Sequence, residues 1–295
     1  MMGKKTGRVI RTAIGFWAVF LFIGQACGRD LPEIKASGVI RHLGVPYANF
    51  ITGSGDGMDV ELVRLFAGHI GVRYEYVKTS WGTVIGDLIG KKVKVAGDDV
   101  QIIGSAQVKG DIIANGFTII PWREKIVDFS IPVFPTQVWL MARATSPVMP
   151  IIPGGDIEKD ISIVKSKLAG LTVLGVANTC LDPQLYNIES TGAVPRLFPG
   201  DLNELAPAIV NNEADATLLD VPDALIALDK WPGKIKVIGP VSKTQEMAVA
   251  FAKDAPLMKD EFNRFLLKCK SDGRYIDLVK KYYPTVFDYY PGFFK

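Results

Sequence analysis

The sequence predicts an α/β protein of two lobes, each a mixed, mostly parallel sheet flanked by helices. Three observations carry that expectation. At 295 residues, 48% of them apolar, the chain can bury two compact cores. Residues 31–89 alternate strand-like and helix-like stretches, a β-α-β-α order that favours parallel strands under covering helices. After a Pro/Gly-rich segment, 146–155, a second α/β series begins, so that segment reads as an inter-lobe excursion or a surface loop.

The first 26 residues stand apart. Lys4, Lys5, Arg8 and Arg11 precede an apolar run, Ala13 to Ile23, which ends at Gly24-Gln25-Ala26-Cys27. That is the layout of a secretory signal peptide, so export to the periplasm is expected. The run is shorter than the roughly 20 residues a spanning helix needs. Cleavage after Ala26 makes Cys27 the first mature residue and a site for a lipid anchor. Lipoprotein signals usually carry Leu where Gly24 stands, so lipidation and simple secretion both stay open. Removal of residues 1–26 leaves 30 basic against 31 acidic residues. No basic stripe with interleaved aromatics is present, and no nucleic-acid partner is expected. Cys180 and Cys269 are too few for a disulfide framework and are expected to be separate thiols.

Residues 31–45 read as a short helical turn, a glycine break and a strand. Tyr47 to Phe50 is a loop rich in contact groups. The glycine-studded turn 53–57 leads into a helix with Val60, Val63, Leu65, Phe66 and Ile70 on one face and Gly71 as its stop. A nucleotide site is rejected there, because no Lys-Ser/Thr follows and no strand directly precedes. Val72 to Val77 is a strand, and Trp81 opens a short helix through Leu88. Residues 90–108 alternate like an added hairpin with a Gly-Asp-Asp turn.

Asp111 to Ala114 is a short buried strand, followed by N-G-F-T-I-I-P-W-R-E-K-I-V-D-F-S, Asn115 to Ser130. Pro121 suits a first helical position, where its missing N–H costs nothing. Thr118, free N–H groups at the helix start and Arg123 together offer a grip for a small carboxylate. The competing reading is a solvated surface arginine. Beyond, Gln137–Arg143 and Leu171–Val176 are strands, with a loop of capping chemistry from Thr179 to Pro183. Asp201–Asn212 is a helix, Ala214–Leu219 a strand ending at Asp220, and Pro222–Leu228 a helix. Ile235–Ile238 and Met247–Ala252 are strands. Two helices close the chain, Pro256–Lys270 and Tyr275–Tyr283.

These elements, and the residues in them, resemble the bacterial extracellular solute-binding proteins of the polar amino-acid type. The opening L-P-E-I-K-A-S-G-V-I-R looks like that family's start, and G-M-D-V-E-L resembles its G-F-D-V-E-L. The stretch from Asn115 to Ser130 resembles its G-M-T-I-T-P-E-R-x-x-x-V-D-F-S. Near the end, the run L-K-C-K-S-D-G-R-Y-I-D-L-V-K-K-Y-Y resembles its L-K-A-D-G-T-Y-x-x-I-x-x-K-Y. The likeness covers about residues 31–284. It implies the type II periplasmic-binding-protein fold, with residues 31–137 plus 241–295 as one lobe and 138–240 as the other. Pro135–Val138 and Gly239–Gln245 would be the two-segment hinge.

It also implies a non-catalytic, monomeric receptor that captures an amino acid and delivers it to the permease of an ABC transporter, without cofactor or metal. By the same resemblance Arg123 clamps the ligand α-carboxylate, with Thr118 as its hydroxyl neighbour. Asn115 and Gly116 present polar groups and backbone. Asp220 receives the α-ammonium, Thr179 adds a carboxylate contact at a helix start, and Tyr47 and Trp81 sandwich the aliphatic part. Asn178 replaces a glycine, and Cys180 a small hydroxyl residue. Gly44 stands where binders of basic side chains place an acidic group, which weakens a lysine or arginine assignment. The aromatic tail, Pro284 to Lys295, is expected to pack on the first lobe.

Rival functions find less in the sequence. His42, in a strand, and His69, on a helix, have no metal-ligand cluster or nucleophile elbow beside them. A prephenate-type dehydratase on this same fold would use Arg123 but would not need Asp220 for an ammonium. A cell-wall lyase would need a second, lysozyme-like domain, and a sensor module a later spanning helix.

Overall fold

The computed structural model describes residues 28–53 and 55–294. The expected signal peptide and the Cys27 lipidation site lie outside the described residues. The chain opens with α1 (Leu31–Ser37), fixed by a capping box between Asp30 and Glu33 and ended by left-handed Gly38. The Asp30 carboxylate also accepts the Met258 N–H at 2.7 Å, so it holds the starts of two helices. There follow β1 (Val39–Gly44), α2 (Met58–Ile70), β2 (Arg73–Lys78) and α3 (Val84–Ile89). The hairpin of β3 (Lys91–Ala96) and β4 (Asp99–Ser105) comes next, then β5 (Ile112–Ile113), α4 (Pro121–Glu124) and β6 (Val127–Phe129).

The chain then passes through β7 (Phe134–Thr136) into β8 (Val138–Arg143), α5 (Ile157–Lys165), β9 (Thr172–Gly175), β10 (Val194–Leu197), α6 (Leu205–Val210), β11 (Ala216–Asp220), α7 (Val221–Lys230) and β12 (Ile235–Pro240). It returns through β13 (Gln245–Met247) and β14 (Ala250–Ala252) and finishes with α8 (Pro256–Ser271), α9 (Arg274–Tyr282) and α10 (Val286–Tyr289).

Two five-stranded sheets result, ordered β2-β1-β5-β14-β6 and β10-β9-β11-β8-β12. Each is mixed. Strands β2, β1 and β5 run parallel, as do β10, β9 and β11, while β14, β6, β8 and β12 add antiparallel pairs. The two passages between the sheets lie side by side, because β7 and β13 pair antiparallel with Gln245 opposite Thr136. The first sheet's helical layer is sealed by Phe66 against Phe262 and Phe265, at ring distances of 5.1 and 5.3 Å. Leu140, Leu174, Leu205, Ile209 and Leu218 are wholly buried around the second sheet.

Several details depart from the sequence reading. The helix expected to open at Trp81 begins at Val84, and Trp81 sits in the preceding turn. Helix α5 was not expected; Asp156 caps it by accepting the Glu158 and Lys159 N–H groups. The edge strand β10 was also missed. The single strand expected over Met247–Ala252 is two. Met247 pairs with Phe134 and Ala250 with Phe129, because Ala248 N–H turns aside to the Phe117 carbonyl. The helix over 201–212 starts as a 3₁₀ turn, Leu202–Glu204. The tail packs on both halves: Phe294 meets Phe134 at 6.1 Å, and Tyr289 reaches Trp139 of β8 at 5.6 Å. Cys180 and Cys269 are separate buried thiols.

Candidate functional site

Three loops and one strand end, all at the carboxyl ends of parallel strands, converge where the sheets face each other, the place where open α/β sheets bind ligands. The loop after β1 brings Tyr47 and the loop after β5 brings Asn115 to Arg123. The loop after β9 brings Asn178 to Cys180, and β11 itself ends at Asp220. The chain is bent to this purpose by local chemistry. Gly116 has φ +63°, and a Cβ there would lie 2.5 Å from the Phe50 ring, so only glycine fits. Its N–H donates to Asp59 Oδ2 at 2.7 Å. Asp59 belongs to the G-M-D-V-E-L run, whose contribution is therefore to hold this loop.

Arg123 is buried, not a solvated surface arginine, with 1% of its surface exposed. Nη1 donates to the Thr118 carbonyl at 2.9 Å and Nη2 to the Asn178 carbonyl at 3.5 Å, while Nε has no partner among the described residues. The guanidinium carbon lies 3.8 Å from the Phe117 ring centre. Burial pulls this cation down to about 10, so it stays charged at neutral pH. One side faces aromatic and carbonyl groups, and the remaining donor capacity suits a carboxylate. The free N–H groups expected at the helix start are reduced: α4 is four residues long, and the Ile119 N–H is taken by the Glu246 carbonyl.

Asp220 is wholly buried. Its Oδ1 caps α7 by accepting the Asp223 N–H at 3.4 Å and also accepts the Tyr47 hydroxyl from the facing loop. Its Oδ2 lies 3.6 Å from the Cys180 thiol. Burial pushes the carboxyl up to about 6, and those hydrogen bonds oppose it only in part. Asp223 beside it is pushed well above the carboxylate range, by burial and then by Asp220. Cys180 sits among Asp220, Arg123 and Thr118, and burial raises its thiol to about 12, so it is neutral. The Tyr186 hydroxyl donates to the Cys180 carbonyl at 2.5 Å, and Gln245 Nε2 reaches that hydroxyl at 3.5 Å. Ala48 N–H adds a bond across the cleft to Asn203 Oδ1 at 2.9 Å.

The remaining expected residues divide. Asn115 is wholly buried, and neither its Oδ1 nor its Nδ2 has a partner among the described residues. Trp81 meets Tyr47 edge-on, with centroids 5.6 Å apart at 84°, not as two parallel walls. It is Phe117 that lies parallel to Trp81, at 6.4 Å and 9°. Thr179 is turned into its own loop: its hydroxyl donates to the Val176 carbonyl at 2.7 Å and accepts the Leu181 N–H at 3.0 Å. It stands at no helix start, because Asp182 caps the following 3₁₀ turn. Asn178 takes the left-handed conformation, φ +62°, that the resemblance gives to glycine. Phe117, Tyr186 and Gln245 were not singled out. Phe117 had a signal, its place inside the Asn115–Ser130 stretch; Tyr186 and Gln245 had none.

Two α/β bodies meeting at their strand ends define the class: the fold is that of the type II periplasmic binding proteins. The structure resembles the P235GK mutant of ArgBP from T. maritima, with TM-score 0.68, 23% identity, and coverage of 86% of this chain and 99% of that one. It also resembles the ancestral amino acid-binding protein AncCDT-1, a precursor of cyclohexadienyl dehydratase, with TM-score 0.65, 24% identity, and coverage of 86% and 98%. The chain belongs to the bacterial extracellular solute-binding proteins, family 3, which it matches over residues 100–285. A curated relative, membrane-bound lytic murein transglycosylase F of Desulfosudis oleivorans, is 27% identical over 241 residues, 79% of this chain. The chain spans about half the length of that relative, 46%.

Proposed function

We propose that this protein is an extracytoplasmic receptor that captures an amino acid between its lobes and hands it to the permease of an ABC transporter. The observation that supports this best is the buried pair of opposite charges, Arg123 in α4 and Asp220 at the end of β11. A zwitterion needs both, each desolvated and each with hydrogen-bonding capacity left for it. In this reading Arg123, with Thr118 and Asn115, takes the α-carboxylate. Asp220 takes the α-ammonium, displacing weaker neutral donors. Gly116 shapes the loop. Tyr47, Trp81 and Phe117 form the apolar wall, and Thr179 stiffens the loop that carries Asn178 and Cys180.

The lobes are residues 31–137 plus 241–295, and 138–240. The β7–β13 ribbon, near Pro135–Val138 and Gly239–Gln245, is the hinge, and ligand contacts to both lobes favour closure. Export through the N-terminal signal, with or without a lipid on Cys27, brings the receptor to the transporter's outer face. No helix among the described residues is long and apolar enough to cross a membrane.

A second reading, a prephenate-type dehydratase, draws on Asp220 as a buried acid pushed up to about 6, suited to giving a proton near neutrality. One experiment separates the two. Calorimetric titration with the twenty amino acids and prephenate, on the wild type, Arg123→Ala and Asp220→Asn, should show one or a few amino acids binding. Both variants should weaken that binding about a hundredfold or more. Prephenate consumption without amino-acid binding would replace the receptor with the enzyme.

A further inference from the structure

We propose that Tyr47 gives this site a second class of ligand: small carboxylic acids without an α-amine, held by Arg123 while the Tyr47–Asp220 bond stays in place. The inference rests on the assignment of Arg123 to a ligand carboxylate and goes beyond it. A pocket that reads an amine with a buried carboxylate normally rejects the amine-free analogue, because the carboxylate is left without a partner. Here the protein supplies the partners itself. Asp220 Oδ1 already accepts the Tyr47 hydroxyl and the Asp223 N–H, and the Cys180 thiol lies at Oδ2. An acid without an amine therefore leaves neither Asp220 oxygen without a donor nearby, and the penalty is smaller than for a carboxylate with no partner.

The other half of the cleft is arranged the opposite way. Arg123 Nε, Asn115 Nδ2 and Asn115 Oδ1 are buried and without partners among the described residues. Recognition groups are thus concentrated around the ligand's carboxylate and the substituent next to it. A 2-hydroxyl can use Asn115 as either donor or acceptor. An ammonium, by contrast, must compete with the Tyr47 hydroxyl for Asp220.

The test is calorimetric titration at neutral pH with isosteric pairs: L-alanine and L-lactate, L-leucine and L-2-hydroxyisocaproate, L-glutamate and L-2-hydroxyglutarate, L-phenylalanine and L-3-phenyllactate. If the amino acid that binds lies outside these four, its own 2-hydroxy acid completes the pair. Wild type should bind both members of the productive pair within about tenfold. Tyr47→Phe, with its fold checked by circular dichroism, leaves Asp220 short of a partner and should widen the ratio at least about tenfold in favour of the amine. Asp220→Asn still accepts the Tyr47 hydroxyl but offers no charge, and should shift the ratio toward the hydroxy acid.

A wild-type ratio beyond about tenfold, or a ratio that Tyr47→Phe leaves unchanged, overturns the inference and leaves the receptor reading standing. Failure of every amino acid and every hydroxy acid to bind overturns both.

Discussion

Asp111 and Asp220 are both buried aspartates, 2% and 0% exposed, and their surroundings push them in opposite directions. At Asp111 burial alone would raise the carboxyl, but hydrogen bonds from Arg29 and Arg41 outweigh it and hold it below the usual range. The two guanidinium groups contact it at 2.5 and 2.7 Å, and the Arg41 N–H adds a bond at 2.8 Å. At Asp220 burial wins, because its partners are neutral, and the carboxyl rises to about 6. A carboxylate that the fold itself neutralises ties elements together; one given only neutral donors keeps an affinity for a cation, or for a proton. The contrast separates a structural clamp from a candidate site more sharply than burial does.

The largest effect should come from breaking the clamp. Asp111→Ala leaves two arginines facing each other beside the first strand and should cost about 3 kcal/mol in denaturant unfolding. That clamp is also acid-sensitive. Because the folded-state value lies below the unfolded one, its contribution is full above about pH 4 and is lost as pH falls through the folded value.

Asp220 carries the opposite sign. Raised to about 6, it penalises the folded state above that pH, and the penalty is relieved as pH falls from about 6 toward about 4. Asp220→Asn should therefore stabilise the ligand-free protein at pH 8 by roughly 1–2 kcal/mol while weakening amino-acid binding. A variant that loses stability at pH 8 would show that the negative charge itself is satisfied in the fold.

Binding should follow the same carboxyl. With Arg123, Tyr47 and Cys180 keeping their protonation through this range, amino-acid affinity should be flat above about pH 7. It should fall by up to about tenfold per unit below 6, a slope that Asp220→Asn removes. The smallest effect belongs to a third buried aspartate. Burial raises Asp59 to about 7 against one hydrogen bond from the Gly116 N–H. Asp59→Asn keeps an acceptor for that N–H and should change stability by less than about 1 kcal/mol near pH 6. Thermal melts across pH would read it.

Much of this arrangement was legible before the structure. The Asn115–Ser130 stretch carries its own geometry in Gly116 and Pro121, and alternation of apolar and polar residues marks most strands and helices. What the sequence did not reveal depends on distant encounters. Tyr47 and Asp220 are 173 positions apart, and nothing local to either residue signals a hydrogen bond between them. Arg29 and Arg41 meet Asp111 across 82 and 70 positions, also beyond any local pattern. Helix α5 escaped because the Pro/Gly-rich stretch before it masked an ordinary Asp cap at Asp156. The resemblance sets Thr179 at a helix start, whereas the residue that caps the following 3₁₀ turn is Asp182, a distinction that rests on loop geometry and not on residue type.

Gly44 closes one evolutionary road. A Cβ at this position would fall 2.3 Å from Ile51 Cδ1 and 2.6 Å from the Tyr76 ring, whose hydroxyl donates to the Gly44 carbonyl at 3.0 Å. An acidic side chain there, the substitution that would court lysine or arginine, cannot arrive first. The tip of Ile51 must turn aside and the Tyr76 ring must also move, so a side chain at 44 disturbs two neighbours in the first lobe at once. Entry of an acidic residue at position 44 is thus governed by the order in which mutations come.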